Sequence, residues 1–361
     1  MKKLDSVSCE KKLHLELLRL ISIYLVIFNH TGENGYMFFV SQIEKPVSYI
    51  YMTFSILCKI AVPIFFMISG ALLLKKEETL KQLLINRVFR MLIVLFVASI
   101  PYYLWLHQSF GTRGIDFIIF IYSESATSSL WYLYSYIALL LLMPFLRNMV
   151  KNMKQIDYTY LFIGHIVFVG FLPCIEYLLW KGQITIHESL FPVIFTVQNI
   201  YFAVLGYYFE HVVVFEKYGK KIICFGLIAS LISVILTCAI TSYHMKNINV
   251  TNFEEVERFF GCYIFIPAVT VYCIFKRIVT KIKSIHLSKI LIFLGSGVFG
   301  VYLVEKIIRA FTSRIHEWLQ TVIGIFPSTL IWCVLVLCLS LLVILPLKHL
   351  PIIKKIFCKF I

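Results

Sequence analysis

The chain has 361 residues, of which 60% are hydrophobic, 16% aromatic and only 15% charged, and its mean hydropathy is +0.86. A soluble domain carries about a quarter charged residues, so this composition excludes one and predicts an integral membrane protein. The net charge of +15 would suggest a nucleic-acid partner in a soluble chain, but here the basic residues sort by position along the chain and no such partner is expected.

A membrane-crossing helix needs about 20 mostly apolar residues. Read that way, the chain predicts an all-α fold of about ten transmembrane helices, over 14–30, 50–74, 88–107, 130–146, 159–180, 191–210, 222–243, 259–275, 290–313 and 321–347. Basic residues collect in alternate connections. They are Lys2, Lys3, Lys11 and Lys12; Lys75, Lys76, Lys81, Arg87 and Arg90; Arg147, Lys151 and Lys154; Lys217, Lys220 and Lys221; the 276–289 loop; and the 348–359 tail. By the positive-inside rule these connections and both termini lie in the cytoplasm. The other loops are acidic or neutral, with Glu33, Glu44, Asp116, Glu124, Glu188, Glu254, Glu255 and Glu257. The chain thus reads as one membrane domain over 1–361, multi-pass in the cell membrane and surrounded by lipid, with no appended soluble domain. In the 108–129 loop, the run Ile115–Tyr122 is too short to cross and would dip into the interface or cover a cavity.

The ten cysteines are scattered, and none has metal-ligand spacing, so no metal is expected. The first apolar run contains Arg19 and has no small-residue cleavage site after it, which argues against a signal peptide.

That first run, LLRLISIYLVIFNH (Leu17–His30), carries an arginine and, eleven positions on, a histidine. The spacing puts Arg19 and His30 on one helix face, roughly 16 Å apart along the axis. Ionisable groups inside a span are costly to bury and are candidates for function. The others are Lys59, His107, His165, Glu176, Glu305, Lys306 and Arg309. Chain direction places His30, Glu176, Glu305, Lys306 and Arg309 in the outer half or middle of the membrane, as an outward-facing cavity requires. Arg19 lies at the cytoplasmic side, level with Arg87 and Arg90, and three guanidinium groups at one level suit a phosphate-rich ligand.

Blander readings exist for each. Arg19 alone would snorkel, and Arg87 and Arg90 would follow the positive-inside rule. His165 would be a hydrogen-bonded core histidine, and Glu305 and Arg309, spaced i, i+4, a self-satisfied pair. Pro63 removes a backbone hydrogen bond near Lys59. The small pair Ser69-Gly70 allows close approach of either a helix or a ligand.

With these residues in view, the sequence resembles the membrane acyltransferase 3 family, and specifically its stand-alone Gram-positive-type branch, which includes relatives of intercellular adhesion protein C. Arg19 and His30 match an Arg-X10-His pattern, VPIFFMISGALLL (62–74) a second-span signature, and RVFR (87–90) an Arg-X-X-Arg motif. LWYLYSYIALLLLMPFLR (130–147), NIYFAVLGYYFE (199–210) and GSGVFGVYLVEK (295–306) resemble recurrent segments. Many relatives have histidine where Glu305 stands.

The resemblance implies an O-acyltransferase that moves an acyl group, acetyl by default and succinyl as the alternative, from cytoplasmic acyl-CoA to a cell-surface or lipid-linked glycan. Arg19, Arg87 and Arg90 would hold the phosphates, with Lys59, Ser69 and Gly70 completing the acyl-CoA-binding set. His30 would be the general base at the outer side, available as neutral imidazole, and Glu176 the residue that orients it. The same branch has also been read as an exporter of surface polysaccharide. That alternative calls for inverted repeats or matched broken helices, and Pro63, Pro101, Pro173, Pro192 and Pro267 do not pair that way. A passive scaffold for a glycan synthase would leave the intramembrane charges idle.

Overall fold

The computed structural model describes residues 2–107, 115–247, 253–282 and 284–348. It is helical throughout, with no strand among the described residues. The principal helices are α1 (Lys2–Asn29), α2 (Ser48–Cys58), α3 (Ala61–Leu73), α4 (Phe89–His107), α5 (Ile115–Ser123), α6 (Trp131–Asn152), α7 (Gln155–His165), α8 (Leu172–Trp180), α9 (Gln198–Tyr207), α10 (Phe215–Met245), α11 (Phe265–Val279), α12 (Ile285–Gly295), α13 (Val298–Phe311), α14 (Ser313–Ile323) and α15 (Ile325–Leu347).

Six described helices are long and apolar enough to cross a membrane, and the pair α12–α13, bent by 57°, makes a seventh if it counts as one span. The remaining expected spans are also helical, but each falls short on length or charge. α1 carries Lys12, Glu16 and Arg19 close together, while α9 and α11 have 10 and 15 residues. A helix enclosed by protein need not match the lipid thickness. α9 is such a helix, with every residue from Ile200 to Gly206 buried.

α10 is its opposite. Phe225, Ile228, Leu231 and Ile235 are each more than half exposed, a stripe stable only against lipid. The short run Ile115–Tyr122 forms α5, and Phe117 packs edge-to-face on Phe96 and Tyr103 at 5.1 and 4.9 Å. It covers α4.

Two local features position the interior. The α2–α3 span breaks at Lys59–Ile60, and Pro63 falls in the first turn of α3, where its missing N–H costs nothing. α3 then crosses α9 at two glycines. A Cβ on Gly70 would lie 1.8 Å from the Ala203 carbonyl oxygen, and one on Gly206 would lie 1.9 Å from that of Met67. Only backbone-to-backbone contact fits there. Gly324, at φ +85°, makes the corner between α14 and α15, a conformation that favours glycine.

Candidate functional site

One cavity of about 1060 Å³ runs alongside α1, and both Arg19 and His30 line it. α1 supplies Leu15, Glu16, Arg19, Val26 and Asn29 to its wall, and His30 follows in the turn at its end. This is the single helix face that the spacing predicts. α3 forms another wall through Val62, Phe65, Ile68, Ser69, Leu72 and Leu73, and α6 adds Tyr132 and Tyr136.

At the Arg19 end, Arg87 and Lys76 join Arg19. The guanidinium groups already have carboxylate partners. Arg19 pairs with Glu16. Arg87 donates from Nε to both oxygens of Glu78, at 3.1 and 3.0 Å. Arg147 reaches the same carboxylate at 2.8 Å and also donates to the Leu73 carbonyl at 3.1 Å. Glu78 sits in the connection before α4, outside the spans, and the hydrogen bond from Arg87, aided by Arg147, holds its carboxyl down from the ordinary 4.5 to about 2. Arg87 itself lies in a π-helical turn, Leu84–Val88, a widened turn of the kind often found at functional sites. Arg90 does not line the cavity, and its Nη1 is buried with no hydrogen-bond partner among the described residues.

At the other end, His30 Nδ1 lies 2.9 Å from Glu305 Oε1. Arg309 donates from Nε to Glu305 Oε2 at 2.6 Å and from Nη1 to the His30 carbonyl at 2.7 Å. The Ser129 hydroxyl donates to Glu305 Oε1 at 3.4 Å. The Glu305 side chain is fully buried while that of His30 is 18% exposed. A carboxylate in that position persists only because Arg309 and His30 surround it. With Glu305 as acceptor, His30 donates from Nδ1, and Nε2 is the ring nitrogen that the carboxylate does not engage. Nucleophile-activating histidines in hydrolases are held in the same way.

The expected assistant, Glu176, is elsewhere. Its Oε1 accepts the backbone N–H of Ile186 at 2.8 Å, and it does not line the cavity. The residue that meets His30 is Glu305. Sequence depth places both carboxylates at His30's level, but only the azimuth of α13 brings one of them across. The i, i+4 pair of Glu305 with Arg309 is real, and His30 is its third member.

Of the remaining expected residues, Ser69 lines the cavity and donates to the Phe65 carbonyl at 2.8 Å, whereas Gly70 faces α9. Lys59 lines the cavity too, paired with Glu257 at 2.8 Å. His165 is a core histidine, bonded through Nδ1 to the Phe195 carbonyl at 2.6 Å and stacked on Tyr201. Lys306 points away, to the Thr127 hydroxyl. The side chain of His107 lies outside the described residues. No group of three or more metal-ligating side chains occurs among the described residues.

This geometry meets an independent comparison. The family model for acyltransferase 3, described as an acyltransferase domain, matches residues 13–347. The chain belongs to this family. It is a membrane acyltransferase, and its family match covers nearly the whole chain, from α1 through α15. No curated protein and no solved structure matches the chain.

Proposed function

We propose that this membrane acyltransferase moves an acyl group, acetyl by default, from cytoplasmic acyl-CoA to a hydroxyl of an extracytoplasmic, cell-surface glycan. One observation carries the reading. A single cavity joins a cluster of cationic side chains around Arg19, within α1, to a carboxylate-held histidine just past the end of that helix. The basic connections put the Arg19 end in the cytoplasm.

The residues present fit acyl-CoA as donor. Arg19, Arg87 and Lys76 offer cations to its phosphates at the mouth. The roughly 16 Å along α1 between Arg19 and His30 suits its extended pantetheine arm. At the far end, His30 Nε2 takes the proton from the acceptor hydroxyl as that oxygen attacks the thioester carbonyl. Glu305, itself oriented by Arg309, fixes the ring and stabilises the imidazolium that forms. His30 then returns the proton to the departing thiolate. One C–O bond forms, one C–S bond breaks, and the proton ends on CoA.

The test is His30→Ala in purified, lipid-reconstituted protein given labelled acetyl-CoA and envelope glycan stripped of its O-acyl groups by mild alkali. Transfer to the glycan is expected to fall by about 10²- to 10⁴-fold, the range of a lost general base. Wild-type transfer rates in the variant would remove His30 from the chemistry.

A further inference from the structure

The segment between α10 and α11 reads FEEVERFFGCYI over 253–264. By sequence its first half is an acidic outer loop, with Glu254, Glu255 and Glu257, and its second half opens the expected span over 259–275. In the fold it dips inward, with Val256, Phe259 and Phe260 almost fully buried as anchors. Its other face, with Phe253, Glu254, Glu257, Arg258 and Gly261, forms cavity wall.

Glu257 is the centre of a mixed-charge cluster there. Its Oε2 accepts from Lys59 Nζ at 2.8 Å and from the Tyr36 hydroxyl at 2.7 Å. Lys59 Nζ also lies 5.2 Å from the centroid of the Tyr36 ring. The three residues come from three stretches of chain: the loop just after His30, the break between α2 and α3, and the inward-dipping segment. Lys59 and Glu257 are 28% and 27% exposed and both line the cavity that His30 lines. Trp131 and Gln198 line it as well.

An ammonium and a carboxylate in contact cancel as net charge, so they are poor partners for an anion or a cation. Side by side they still offer donors and an acceptor, which is the pattern that adjacent hydroxyls need. Charge-assisted hydrogen bonds of this kind are among the stronger ones available. Trp131, which lines the same cavity and is 45% exposed, adds an apolar face suited to the C–H side of a sugar ring. Phosphates, by contrast, call for the cations at the Arg19 end. We propose that Lys59, Glu257 and Tyr36 form a subsite for an uncharged, polyhydroxylated acceptor, a neutral sugar ring, held within the reach of His30. The inference rests on the transferase reading above. It also gives Lys59 a different task from the donor-binding one expected from sequence, because Lys59 is committed to Glu257.

The experiment measures transfer kinetics from labelled acetyl-CoA to the alkali-stripped envelope glycan, with the two KM values determined separately. Glu257→Gln keeps the side-chain shape and removes the charge. Tyr36→Phe removes a single hydroxyl and guards against misfolding in the first variant. We expect the glycan KM to rise about tenfold in Glu257→Gln and about threefold in Tyr36→Phe, with the KM for acetyl-CoA within about twofold of wild type. A glycan KM within about twofold of wild type in both folded variants, or a rise in both KM values together, overturns the subsite while leaving the transferase intact. Wild-type protein that transfers nothing overturns both, the subsite with the reading it rests on.

Discussion

Behind each end of the cavity lies a carboxylate held between two nitrogen-bearing side chains. At one end Glu78 lies between Arg87 and Arg147, and at the other Glu305 lies between Arg309 and His30. The two differ in what surrounds them. Glu78 sits on a connection between helices and is 20% exposed, whereas Glu305 is inside α13 with no exposure at all. Exchange of one partner for another is easy where water screens the charges and expensive where it does not. Of the two carboxylates, only Glu78 is reached by water. The Glu305 cluster cannot change partners and so holds His30 in one orientation.

Substitutions can break that contrast. Glu305→Gln should come closest to the loss of His30 itself, lowering kcat about 10²-fold with donor KM little changed, because the amide cannot hold the same tautomer or stabilise the imidazolium. A variant that keeps wild-type kcat would show that the carboxylate is only structural. Arg87→Ala should act the other way, raising the KM for acetyl-CoA about tenfold while kcat at saturation stays within a few-fold.

The smallest effect is expected from Glu78→Gln, seen in stability rather than turnover. The Glu78 carboxyl is depressed from 4.5 to about 2 in the folded protein. Its contribution is therefore fully present above the ordinary value and lost as pH falls from about 4.5 toward 2. Melting temperatures in detergent should fall less steeply across that window for Glu78→Gln than for wild type. Equal slopes would mean that the pairing with Arg87 and Arg147 contributes nothing to folding.

Much of this was legible in the chain, for identifiable reasons. The spacing of Arg19 and His30 is a local property of one helix, and α1 keeps it. Arg87 could be set level with Arg19 because the positive-inside rule supplies an expected chain direction. Glu305 was visible as an intramembrane carboxylate, but its contact with His30 spans 275 residues of sequence. Depth gives height in the membrane and says nothing of azimuth, which is why Glu176 looked equally suitable. Glu16 could have been found as the partner of Arg19 from its i, i+3 position. Glu257 could not, since its partners Lys59 and Tyr36 are about 200 residues away in sequence and nothing in an acidic loop points to them. Hydropathy alone cannot distinguish a short helix sheathed in protein, such as α9, from one that meets lipid, and six to seven of the ten expected spans pass on length and composition.

The crossing of α3 and α9 has a genetic consequence. Alanine at Gly70 or Gly206 would drive a methyl group into a carbonyl oxygen of the facing helix. Neither position faces the reacting groups, yet a screen for inactive alleles would recover both alongside His30. Ser69 and Gly70 are neighbours in one signature but answer to different constraints, the first to the cavity and the second to the helix behind it. Intolerance to mutation in that motif would be read as catalytic necessity when half of it is masonry.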